Sequence, residues 1–227
     1  MAKLTGKARD RARKKANNKS KNNLFLRKKS LIDSIVKYDA SILEKESQLV
    51  SHGEDVVESI KKMTQVLNAT KNGIGLSASQ IGIDKKIIII KSNTNSTQIT
   101  CMINPEIISH SEEMKIGRES CLSYPGITGY IERYTSVEVS YYDVEWNKHT
   151  VKYKNGDILS VVVQHEIEHI SKNHCQIFDW WKDPEGKKKE LEERMKFPEE
   201  LIPEELKEGF KPEEKKEVVT KPLMSNK

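Results

Sequence analysis

Cysteine is scarce in this chain, with 3 among 227 residues, and the odd count argues against a disulfide framework and against secretion. Long hydrophobic runs are missing too. No stretch approaches the ~18 apolar residues of a membrane span, so no membrane partner is expected. The first residues carry positive charge but no apolar h-region, which excludes a secretory signal. Their lysine-rich, acid-poor composition leaves an organellar address open, while a reducing, cytoplasmic setting is the expectation. Residues 1–23 also hold almost no large apolar side chains, so they cannot bury enough surface to offset ordering; they read as mobile or as one solvated helix. No aromatic residues interleave with the basic ones there, so base stacking is not indicated. Internal repeats are absent.

Charge is unevenly spread. Residues 1–29 hold 8 Lys and 4 Arg against Asp10 alone, a balance of +11. Residues 182–227 hold 12 basic and 13 acidic residues, or −1, and the whole chain is +5. The middle is therefore 5 − 11 + 1 = −5. This pattern divides the chain into a basic, flexible extension (1–33), one globular domain (34–182) and a charged, partly helical or disordered tail (183–227). Clustered Lys and Arg in residues 1–29 suit phosphate neutralisation, and contact with RNA or the ribosome is the sharper reading of an arm that otherwise only solubilises.

Within the domain, Ile35–Tyr38 reads as an extended lead-in. Apolar residues at three- and four-residue steps predict a helix over 54–72, with Gly73 as its stop. Ile87–Ile90 is too β-branched for helix and predicts a strand. Another is expected over Ile99–Ile103, ending before Pro105. Val137–Tyr142 and Thr150–Tyr153 read as hairpin partners, and Asp157 as the N-cap of a long helix over 158–171. Short solvated helices broken by prolines are expected in 187–194 and 199–216.

That long helix carries the chemistry. Val161-Val162-Val163 leads into Gln164-His165-Glu166-Ile167-Glu168-His169, a His-Glu-x-x-His motif. Residues four apart share a helix face, so His165 and His169 can converge on one ion. Glu166 lies about 100° further round, placed to reach water rather than to bind as a ligand. Two imidazoles and a carboxylate suit a metal that activates water, provided a third ligand leaves one coordination position open. The remaining histidines, 52, 110, 149 and 174, sit in polar or turn-like surroundings and read as surface residues. Cys101 lies in an apolar strand and reads as a small buried hydrophobe. Cys175 follows the helix, with poor reach back to the His165 face. Cys121 sits in a loop-like stretch, Glu119-Ser120-Cys121-Leu122-Ser123-Tyr124-Pro125-Gly126, from which its thiolate could face the helix.

Three segments in order resemble the peptide deformylases: Gly73-Ile74-Gly75-Leu76-Ser77-Ala78-Ser79-Gln80, Glu119-Ser120-Cys121-Leu122-Ser123, and Gln164 to His169. The resemblance covers about residues 34–182. It implies an α+β fold with antiparallel sheets around a central metal-binding helix. It implies that Cys121, His165 and His169 bind one divalent ion, Fe²⁺ by family precedent, with Zn²⁺, Ni²⁺ or Co²⁺ also suited to the set. The implied reaction removes the N-formyl group from the initiator methionine of nascent N-formylmethionyl polypeptides and releases formate. Glu166 would be the proton-transferring residue, and the Gln80 amide and Leu122 N–H the oxyanion donors. Gly73, Ile74, Gly75, Ser120, Val161 and Val162 would line the substrate site, the glycines letting backbone run close to an extended peptide. Val161 and Val162 are core residues on any reading.

Three positions depart from the family pattern. Ser77 replaces Ala and adds a hydroxyl that needs a partner if buried. Ser120 replaces Gly, which strains the chain only if φ is positive there. Glu168 replaces Asp and is one methylene longer beside the ligands. Two other readings stay open at the level of sequence: a different His-Glu-x-x-His hydrolase or peptidase with a downstream third ligand, and a ribosome- or RNA-binding relative with a weakened site.

Overall fold

Four consecutive isoleucines give the core its two sides. In a strand, alternate side chains face opposite ways. Ile87 and Ile89 of β2 (Ile87–Lys91) join a cluster with Met63, Val66 and Leu67 of α2 (Val57–Ala69), while Ile88 and Ile90 join another with Met102, Val139, Val163 and Ile167. The run is thus buried on both faces, the reading that its lack of polar alternation supports.

The computed structural model describes residues 6–38, 40–171 and 175–194. β2 lies within a five-stranded antiparallel sheet of order β1-β2-β3-β6-β7, with β1 (Gly75–Ser77), β3 (Ile99–His110), β6 (Val137–Tyr142) and β7 (Lys148–Tyr153). A separate antiparallel pair joins β4 (Met114–Cys121) to β5 (Tyr124–Tyr134). The helix α3 (Ile158–Glu168) contributes Val163 and Ile167 to the second cluster, so α2 and α3 cover opposite faces of the large sheet. α4 (Ile177–Lys182) packs on β5, where a Cβ at Gly129 would come within 2.9 Å of Ile177 and Trp180 side chains. The class is α+β, with antiparallel sheets around the His-Glu-x-x-His helix, as expected.

Several boundaries differ from the sequence reading. β3 runs through Pro105 instead of stopping before it. The proline sits where the β3–β6 register shifts between Ile103 and Glu106, and β2 pairing has already ended at Ile103, so its missing N–H interrupts no ladder. α2 begins at Val57, its first amide held by the Asp55 carboxylate at 3.0 Å, and stops at Ala69, with Thr70 rather than Gly73 at its end. Ile35–Tyr38 joins no strand. α3 keeps Asp157 as its N-cap, accepting from Leu159 N–H at 2.9 Å, but ends at Glu168. Ile170 and Ser171 then bond back three residues, tightening the last turn.

Ahead of the domain, α1 (Gly6–Asp33) takes the helical alternative, and its residues 17–30 are all exposed. α5 (Pro184–Arg194) carries the charge-dense stretch predicted after Trp181. The helices expected in 199–216 and His174 lie outside the described residues. The chain divides into two compact units, Met1–Pro184 and Glu185–Lys227.

Candidate active site

α3 delivers His165, Glu166 and, as its C-terminal cap, His169 to one buried spot. Cys121 meets them from the end of β4, not from a loop. The hairpin turns within two residues of it, and the register slips between Ser120 and Cys121. The ligand atoms of Cys121, His165 and His169 lie within 4.8 Å of one another, with Cys121 Sγ 3.1 Å from His169 Nε2. One thiolate and two imidazoles are the donor set of a divalent transition ion. His165 Nδ1 is already bonded to Glu119 Oε2 at 2.8 Å, which frees Nε2 for an ion. The buried Glu166 Oε2 and His169 Nδ1 have no hydrogen-bond partner among the described residues, as expected where a further group completes the site. The residues present fit a metal.

Glu119 is a residue whose part the motif alone did not disclose. Its carboxylate also takes Arg133 Nε at 2.8 Å and Arg133 Nη2 at 3.0 Å. Burial alone would push this carboxyl up, yet the hydrogen bonds from His165 and Arg133 outweigh it and hold it at about 2. Arg133 came from no motif, and it explains Glu168. The longer side chain reaches the same guanidinium through both oxygens and also accepts from the Gln176 side-chain amide at 2.7 Å. The extra methylene is used to bridge β5 and the segment before α4.

Gln80 faces the site with a fixed orientation. Its Oε1 accepts from Ser77 N–H at 2.9 Å and from the Ser77 hydroxyl at 3.2 Å, so Nε2 is the end that points inward. That nitrogen lies 3.3 Å from both Cys121 Sγ and Ser123 Oγ. The added hydroxyl of Ser77 therefore has a partner, and it helps to hold the Gln80 carboxamide in this orientation. Only Tyr38, Asn104 and Trp146 among the described residues combine a side chain with a positive φ, so Ser120 carries no such strain.

Glu166 lies against β1. A Cβ on Gly75 would stand 2.8 Å from Glu166 Cδ and closer still to Oε1, so glycine is needed there by the carboxylate itself. Burial raises the Glu166 carboxyl while the neighbouring His165 and His169 pull it down, and the net direction is up. A raised carboxyl is a stronger proton acceptor, which suits general-base work. For Cys121, burial again acts upward first, but hydrogen bonds from Cys175 and His165 bring the thiol down to about 6.

A cavity of about 490 Å³ opens onto these groups and is lined by Gly73, Ile74, Gly75, Ser120, Val161 and Val162 together with Gln80, Cys121, Leu122, His165 and Glu166. Val161 and Val162 are half-buried and line the cavity, Val162 also packing against the second core cluster, while Val163 is fully buried. One expectation fails outright. Cys175 is buried with Sγ 3.9 Å from His165 Nε2, far nearer than its place after the helix suggests, although it is outside the three-ligand group.

The profile of the polypeptide deformylase family matches residues 32–183. Peptide deformylase 2 of Vibrio cholerae is 38% identical over 131 residues, which span 58% of this chain and 76% of that protein. Among solved structures, the deformylase of the Vibrio parahaemolyticus bacteriophage VP16T, in complex with actinonin, is 36% identical, with a TM-score of 0.56 over 62% of this chain and 98% of that one. The Plasmodium falciparum peptide deformylase is 32% identical, with a TM-score of 0.58 over 71% and 95%.

Proposed function

The chain belongs to the polypeptide deformylase family, and from that premise we propose that Cys121, His165 and His169 hold its divalent ion, with Glu166 as the proton-transferring base. The enzyme removes the N-formyl group from the initiator methionine of newly made polypeptides, releasing formate. The single observation that carries the assignment of residues is the convergence of three ligand atoms within 4.8 Å beside a buried, unpartnered carboxylate oxygen.

Cys121, His165 and His169 would hold the ion, Fe²⁺ on family precedent, which when bound would supply Lewis acidity to water and to the formyl oxygen. The protein does the rest. Glu166 takes the proton from the attacking water and delivers it to the amine nitrogen as the C–N bond breaks, leaving formate and a free α-amine. Gln80 Nε2 and the Leu122 N–H donate to the oxygen of the tetrahedral intermediate. Ser77 keeps the Gln80 donor end turned inward throughout. Gly73, Ile74, Gly75 and Ser120 bound the path of an extended peptide, while Val161 and Val162 offer apolar wall to the methionine side chain.

Residues 1–29 supply a basic arm for an enzyme whose substrates emerge from ribosomes in the cytoplasm. Its exposed residues 17–29 support contact with ribosomal RNA. The domain of 34–182 would then act alone on short peptides. Formate release from a formyl-Met tripeptide, by protein reconstituted with Fe²⁺ or Ni²⁺ without oxygen, tests the reaction; metal bound without turnover would reject it. Cys121→Ala with undiminished metal content would reject the ligand set. Co-sedimentation with ribosomes that survives deletion of residues 1–29 would reject the arm's role.

A further inference from the structure

The three residues Val36, Lys37 and Tyr38 belong to no helix or strand, yet they touch both segments that carry the oxyanion donors. Val36 N–H donates to the Gln80 carbonyl at 2.8 Å, and Tyr38 N–H donates to the Ser123 carbonyl at 3.0 Å. Between them, the Lys37 ammonium donates to the Leu122 carbonyl at 2.6 Å. Tyr38 holds φ at +56°, a left-handed conformation that a tyrosine adopts only when its surroundings impose it.

We propose that Lys37 is a positioning residue of the active site, fixing the Leu122–Ser123 peptide so that Leu122 N–H meets the substrate oxygen and Ser123 N–H meets the Cys121 sulfur. This inference rests on the deformylase reading of Cys121 and Leu122. The geometry is a relay through one amide. The carbonyl end of the Leu122–Ser123 peptide receives the ammonium, and its N–H end donates to Cys121 Sγ at 3.4 Å. A cation on one end and a thiolate on the other polarise the amide in the same direction, so each hydrogen bond strengthens the other. Leu122 is then held from both sides: by Cys121 before it and by the Lys37 contact after it.

A loop carbonyl that needed only satisfaction could take water or a neutral donor. Lys37 instead keeps its charge half-buried. Burial pulls its ammonium below the ordinary lysine range, while the nearby Cys121 and Asp33 act against that pull. The desolvation cost is consistent with a charge directed at the metal-site loop. Lys37 is not among the residues that line the cavity and bonds the Leu122 carbonyl, so its effect passes through the peptide.

The test compares Lys37→Met, which keeps the methylene stem, with Lys37→Arg, which keeps a charged donor. Steady-state formate release gives kcat and KM, thermal melting gives stability, and protein loaded with Co²⁺ gives the thiolate-to-metal absorption band. Lys37→Met is expected to lower kcat about tenfold with KM within about twofold, as loss of a charged hydrogen bond implies. Its band should move to longer wavelength, because the thiolate loses a withdrawing hydrogen bond. Lys37→Arg should restore most of both. Unchanged kcat and an unmoved band in Lys37→Met would overturn the inference. So would parallel loss of melting temperature and activity that arginine fails to rescue, which would make Lys37 a fold anchor. If the parent itself releases no formate, the deformylase reading falls, and the band alone decides whether Lys37 reaches the thiolate.

Discussion

Toward the five-stranded sheet, α3 presents Val163 and Ile167 to Ile88, Ile90, Met102 and Val139. Toward the β4–β5 hairpin, the same helix presents His165 and Glu168 to Glu119 and Arg133. The first contact is apolar and non-directional, and burying each such side chain stabilises by about 1.5–3 kcal/mol. The second consists of charges whose mutual attraction mostly offsets the cost of drying them, so it adds little net stability. What it adds is position: it fixes one nitrogen of His165 and the end of β4 that bears Cys121. Stability and geometry are thus supplied from opposite sides of one helix.

The largest effect is expected at the residue lying between those sides. Glu166→Ala should lower kcat/KM for a formyl-Met peptide by about 10³-fold with the bound ion retained, as assayed by formate release and metal analysis. Lost metal with it would mean that Glu166 is structural. Gly75→Ala comes next. Its methyl would displace the Glu166 carboxylate, and misplacement of a reacting group by about 1 Å costs about 10²-fold in kcat. A variant with parental kcat would show that β1 yields instead.

Glu119→Gln attacks the polar side alone, and metal affinity should fall about 10–100-fold by competition with a chelator. The same variant has a pH signature. Glu119 is held at about 2 against an ordinary 4.5, so its stabilising effect is complete above about 4.5 and fades as pH falls towards 2. Denaturant midpoints of metal-free parent should drop through that window, and the Glu119→Gln curve should be flatter. Equal slopes would remove Glu119 from the acid response. Met102→Ala attacks the apolar side and should cost about 2–5 kcal/mol in unfolding free energy. Turnover per folded molecule should stay within about twofold of the parent. A large loss of turnover there would break the division between the two sides.

The helix and its metal motif were legible in the sequence because both follow from a 3.6-residue period and a local capping residue, Asp157. The four isoleucines were legible for a similar reason, since nothing but a strand suits them. The β4–β5 hairpin was not. The buried face of β5 alternates but carries Gly129, Ile131 and Arg133 and so shows no apolar period, and Gly117 and Gly126 further disguise the hairpin as loop, so Cys121 read as a loop residue. Arg133 was invisible because its partners lie 14 and 35 residues away, and only the folded register brings them together. Cys175 was misjudged for a related cause, since its place beside His165 is a tertiary contact across 10 residues that no helical period announces.

The division between the two sides also bears on the order in which the molecule opens. A two-stranded hairpin that meets α3 mainly through polar contacts and packs on the short α4 is a smaller cooperative unit than a five-stranded sheet with apolar residues on both faces. Amides of β4 and β5 should therefore exchange with deuterium through partial openings, while those of β2 and β3 wait for global unfolding. Cys121 rides on the hairpin and the two histidines ride on the helix. Each partial opening would separate the three proposed ligands, so release of a bound ion should follow local breathing of the hairpin instead of global unfolding.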